Sequence, residues 1–121
     1  MKKEELECLM ANYYGTECYH RMPLTNLLVT DGALGFAKNA GAFWFLTDVA
    51  LFRKEAFKVN PEEEMFSVHL IVKDNKADMV YKDGNGHICY SKHYSLTDCP
   101  EGDWIFYYFK SENLLIWNGE Y

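Results

Sequence analysis

The stretch AFWFLTDVALFRKEAFKVNPEEEMFSVHLIV, residues 42–72, decides the fold because its hydrophobic period changes once along its length. As far as Phe52 it is almost unbroken apolar sequence, interrupted by Thr47 and Asp48, and it reads as one helix running to about residue 55. After Asn60 and Pro61 the period drops to two. Phe66, Val68, Leu70 and Val72 alternate with Ser67, His69 and, less cleanly, Ile71, the pattern of a half-buried strand. Helical pattern before the switch and strand pattern after it predict an α+β domain.

Upstream, Lys3 to Tyr13 carries Leu6, Leu9, Met10 and Tyr13 at helical spacing, with Glu4, Glu5 and Glu7 near the end where negative charge complements the helix dipole. Residues 14–29 hold Gly15 and Pro23 without a clean period and read as a loop or short extended segment. Thr30 or Asp31 is the expected N-cap of a second helix, which Asn39 and Gly41 interrupt before residue 42. Downstream, Asp74-Asn75 and Asp83-Gly84-Asn85-Gly86 supply residues that accept positive φ, so they are turns between strands at 66–72, 77–81 and 87–95. Strands at 104–110 and 114–117 follow, joined through Ser111-Glu112-Asn113. The expected architecture has N-terminal helices packed on one face of a C-terminal antiparallel meander of four to five strands, with residues 1–121 forming a single domain.

Composition narrows the function classes. A net charge of −6, with Glu62, Glu63 and Glu64 consecutive and only Arg21 and Arg53 as guanidinium groups, argues against direct DNA or RNA binding, which needs clustered cations. No apolar run approaches the roughly 18 residues of a membrane span, and the charged MKKEELECLM start does not resemble a secretion signal, so a cytoplasmic location without membrane contact is expected. Cys8, Cys18, Cys89 and Cys99 lack zinc-type spacing and are expected as free thiols.

Asp48 is the residue that asks for an explanation. On a helix it shares its face with Trp44, Phe45, Leu51 and Phe52, so its carboxylate cannot easily reach water and needs a donor. His20 or Arg21, from the loop before the helices, is the expected partner, tying residues 14–29 onto the helix. In a functional version of the same arrangement, Tyr19, His20, Arg21, Asp31, Trp44 and Asp48 line a small ligand pocket at the helix-loop junction. The aromatic residues also gather in the last hairpin, and Trp104, Phe106, Tyr108 and Trp117 are the expected interface residues, with the exposed edge at 114–117 available to pair two copies into a homodimer.

Other chemistry finds little support. His87 and Cys89 share a strand face, but His93 would lie about 20 Å from His87, so no local three-ligand zinc site is expected. Cys18, His20 and Asp48 match a nucleophilic triad in residue type alone. Residues 32–35 lack the features of a phosphate loop, and Tyr94 stands where a calcium loop opening at Asp83 would need glutamate. No catalytic residue, metal or cofactor is assigned.

The segments GTECYHR (15–21), TDGALGFAKNAGAFWFLTDVA (30–50) and DGNGHICYSKHYSLTDCP (83–100) together resemble an uncharacterised family of small bacterial and phage proteins. The family pattern has Arg-His where this chain has His20-Arg21, and frequently Tyr at the position of Phe43. What the resemblance implies is context: small acidic proteins of phage and mobile elements tend to act by binding larger ones. The expected function is therefore a protein-binding accessory factor with a basic, nucleic-acid-binding partner, such as an inhibitor of a host defence nuclease of the CRISPR type. The alternative is a small-ligand module or enzyme using the pocket at the helix-loop junction.

Overall fold

The computed structural model describes residues 1–121 apart from Leu24. Its elements are α1 (Lys3–Met10), β1 (Tyr19–Arg21), β2 (Leu28–Thr30), α2 (Asp31–Ala40), α3 (Phe43–Val59), β3 (Met65–Lys73), β4 (Lys76–Lys82), β5 (Ile88–Tyr94), β6 (Gly102–Phe109) and β7 (Leu114–Trp117), followed by a 3-10 turn at Asn118–Glu120. The strands form one seven-stranded sheet in the order β1-β2-β7-β6-β3-β4-β5. All neighbours are antiparallel except β2 and β7.

The α+β class stands, but the sheet has seven strands rather than four to five. The two additional strands, one inside residues 14–29 and the other running from Leu28 to Thr30, precede α2, so helices and strands interleave in the N-terminal half. Each is three residues long, too short to show a period of two. Leu24, within the same stretch, lies outside the described residues. The presence of β2 has a large consequence: it pairs with β7 through Leu28↔Leu114 and Val29↔Leu115, so residues 114–117 are not the sheet edge. The edges are β1 and β5, and the homodimer expected from a free 114–117 strand loses its basis.

Local chemistry explains the helix and turn boundaries. Thr30 caps α2 by accepting a hydrogen bond from the Ala33 amide, and Gly41 ends that helix with φ 65°, a conformation that costs glycine little. Asp74 and Asn75 both adopt positive φ, at 54° and 61°, as a two-residue hairpin between right-twisted strands requires.

All three helices lie on one face of the sheet. Phe66, Val68 and Leu70 of β3 alternate inward with Trp104, Phe106 and Tyr108 of β6, and α2 and α3 close over them. Phe106 sits 5.1 Å from both Phe36 and Phe45, ring centre to ring centre, and Phe57 stacks on Tyr108. Leu6 and Met10 bring α1 into the same core. Each fully buried aromatic or aliphatic side chain here contributes about 1.5–3 kcal/mol relative to exposure.

Candidate functional site

Four places on the fold gather the residues that the sequence marked out. The first is the start of α2. The β1–β2 register sets Tyr19 opposite Thr30 and His20 opposite Val29, which brings β1 beside the helix N-terminus. His20 Nε2 lies 2.8 Å from Asp31 Oδ1, and Asp31 Oδ2 accepts from the amides of Glu17 and Cys18 at 3.2 and 3.1 Å. The His20 hydrogen bond, with the two amides adding to it, holds the Asp31 carboxyl below its ordinary 3.8 despite partial desolvation. A second carboxylate, Glu120, reaches the same helix end from the 3-10 turn. It accepts from the Thr30 and Thr16 hydroxyls and from the Gly32 and Trp117 amides, all between 2.5 and 3.0 Å. Gly32 permits this approach, because a Cβ there would collide with the Glu120 carboxylate.

The second place is α3 against β5. Asp48 Oδ2 accepts from Lys92 Nζ at 2.9 Å and from the Tyr94 hydroxyl at 2.6 Å. One turn to either side, the Trp44 ring lies 4.7 Å from Tyr94 and Phe52 stacks on Tyr90 at 5.2 Å. The match is geometrical: four helical residues rise about 6 Å, close to the roughly 6.6 Å of two strand residues, so each turn of α3 meets the next inward side chain of β5. Lys92 also lies over the Phe52 and Tyr94 rings, 4.9 and 5.2 Å from their centres. Burial, reinforced by the Asp48 carboxylate, pushes the Tyr94 hydroxyl far above its ordinary pKa of 10.0, so it remains a donor.

This corrects the expected pairing of Asp48. Neither His20 nor Arg21 is its partner, because both lie on β1, at the opposite end of the sheet from β5. The six candidate ligand residues therefore separate. His20 and Asp31 remain together, Tyr19 and Arg21 are exposed on β1, and Trp44 with Asp48 belongs to the α3–β5 contact. Sequence reasoning missed Glu120, Lys92 and Tyr94, whose contacts span 88, 44 and 46 positions.

The third place is a pair of clefts beside α1 and α2, with Tyr13 forming a wall of each. One, about 420 Å³, takes in His20, Asp31, Glu17 and Lys38. The other, about 540 Å³, lies between α1 and the last hairpin and is walled by Met10, Trp104 and Trp117.

The fourth place is the face of the sheet that carries no helix. Of the four expected interface residues, Trp104, Phe106 and Tyr108 are buried in the core, and Trp117 is half-buried and stacked on Phe36. Alternation puts their neighbours outward instead: Ile105, Tyr107 and Phe109 are half-exposed on the opposite face. Tyr121 stacks on Phe109 at 5.9 Å and lies 5.0 Å from Tyr107. Val80, Leu114 and Ile116 project from the same face and are buried outside the main core, Leu114 directly opposite Phe109 and Ile116 opposite Tyr107. Two histidine-aspartate pairs, His69–Asp103 and His93–Asp78, each at 2.9 Å, occupy its other half.

A family model of unknown function, DUF6876, matches residues 4–121, and the chain belongs to that family. No curated protein and no solved structure matches it. Among the described residues, no helix is long and apolar enough to cross a membrane.

Proposed function

We propose that the protein acts by binding another protein, with the helix-free face of its sheet as the contact surface. The observation that carries this reading is the partly exposed apolar strip of Ile105, Tyr107, Phe109 and Tyr121, flanked on the same face by Leu114 and Ile116, which are buried but not part of the main core. Aromatic residues on a rigid support lose little entropy on contact and supply most of the energy of typical interfaces. The partner is basic, as the net charge of −6 favours. An accessory factor of a phage or mobile element, inhibiting a host defence nuclease by covering its nucleic-acid groove, fits this size and charge. The carboxylates at the two helix-sheet junctions support a binding role over a catalytic one: Glu120, Asp31 and Asp48 are each engaged by two or more donors that join separate elements.

The test compares complex formation by the wild type, by Tyr107→Ser with Phe109→Ser, and by the control Tyr14→Ser, using affinity capture and native mass measurement in cells that carry the natural target. A stoichiometric complex kept by the control and lost in the double variant supports the proposal. No complex, or one indifferent to the double variant, overturns it. A second reading, a small-ligand site, draws on the cleft of about 420 Å³ that keeps His20 and Asp31 together. A metabolite screen against His20→Ala tests it, and ligand binding unaffected by that change counts against the cleft.

A further inference from the structure

Strand β5 is the long free edge of the sheet. It runs seven residues from Ile88 to Tyr94, has a partner on the β4 side only and contains neither proline nor glycine; its register against β4 shifts once, between Ile88 and Tyr90, which leaves Tyr90–Tyr94 as the regular part of the edge. Among the described residues, no backbone group outside β4 bonds to its outer side. Natural sheets usually guard such an edge with an outward lysine, but Lys92 is turned onto the helix face and held by Asp48. Beside the edge, α3 presents Leu51, 60% exposed, next to Phe52, and Ile88 is 61% exposed on the strand itself.

We infer that β5 accepts an extended peptide segment of another protein as an eighth strand, with the segment's alternate apolar side chains lying against Leu51 and Phe52 of α3. Unpaired main-chain groups specify a strand as the occupant, since only extended backbone satisfies them in a row. The position of α3 specifies that the strand comes without a helix of its own. Through Trp44, Asp48 and Phe52 one side of that helix packs on β5, and Val49, whose carbonyl accepts from the Tyr81 hydroxyl, holds it against β4 as well. A second copy paired antiparallel across a two-fold axis would bring its own α3 to the same side of the joined sheet, so that the exposed Leu51 of each helix faces the other across the seam in place of a strand's side chains, and helix axes need about 8–10 Å between them. A lone segment meets no such obstacle. Lys54 on the exposed side of α3 favours an acidic residue at the polar position beside it, while Lys58 and His93 already face Glu55 and Asp78.

This inference is independent of the open-face reading, since it uses a different edge and different residues. The experiment selects random displayed peptides of about ten residues, long enough to span β5, on the full-length protein, and then measures synthetic copies of those enriched. Expected are sequences alternating apolar with acidic or neutral polar residues, whose binding shifts the amide resonances of Ile88–Tyr94. N-methylation of the peptide at one set of alternate residues should weaken binding by about tenfold or more, as loss of two or three main-chain hydrogen bonds requires, with the other set nearly neutral. Leu51→Glu should weaken it too, while Tyr107→Ser with Phe109→Ser leaves it unchanged. The inference is overturned if no peptide is enriched, if both N-methylated sets bind alike, if the shifts map elsewhere, or if light scattering shows a dimer whose β5 amides are protected.

Discussion

The two ends of the sheet each use a helix-borne carboxylate, Asp31 beside β1 and Asp48 beside β5, and they use it differently. At the β1 end the chain supplies two carboxylates and fills nearly every position around the N-terminus of α2 with its own amides and hydroxyls. At the β5 end one carboxylate and two aromatic contacts press α3 onto the strand, and the strand's outer side is left open. The first end is closed from within. The second is anchored and still available, and this difference teaches that a half-buried acid is no guide to a working surface until its partners are known.

Removing the acid from each end sharpens the contrast. Glu120→Ala strands the Gly32 and Trp117 amides together with the buried Thr30 hydroxyl, so urea denaturation should show a loss of roughly 2–4 kcal/mol, the largest single effect expected at either junction. Asp48→Asn keeps the shape of the α3 contact and removes its charge. Because Lys92 remains partly solvated, the loss should be about 1–2 kcal/mol by the same measurement. A larger loss at Asp48 than at Glu120 would reverse the assignment of the closed end.

The smallest effect is a matter of pH. The Asp31 carboxyl is held below its ordinary value chiefly by the His20 hydrogen bond. The stabilisation it provides is therefore complete above the unfolded value near 3.8 and is lost as pH falls through the lower folded value. Asp83 behaves alike: burial alone would raise its pKa, but the His87 amide, Asn60 and the Asn85 amide outweigh that and lower it. Urea midpoints measured from pH 7 downward should fall on the acid side, and Asp31→Asn should flatten part of that fall. Asp48→Asn serves as the comparison at the other end.

Much of this fold can be read from local sequence, and the reason is physical. The Thr30 cap, the Gly41 helix end and the Asp74-Asn75 turn depend on neighbours within a few positions. The switch of period after Pro61 is visible because β3 alternates cleanly. What could not be read depends on register between distant segments. The run WIFYYF at 104–109 is apolar at every position, so its period does not say which set of side chains points inward, and the interface expectation fell on the buried set. The partners of Asp48 come from β5 and those of Gly32 from the 3-10 turn, both placed by the order of strands in the finished sheet. The pairing of His20 with Asp31 lies eleven positions apart across the β1–β2 connection, and residue type brought both into the candidate pocket without showing that they bond to each other.

The claim on which the two ends differ most is that β5, and not β7, is the free long edge of the sheet. Amide hydrogen exchange on the isolated protein, resolved by residue with nuclear magnetic resonance, measures it directly. Slow exchange along β7 and fast exchange at alternate amides of Ile88–Tyr94 is the expected pattern. Uniform protection along β5, or alternating fast exchange along Leu114–Trp117, would contradict it.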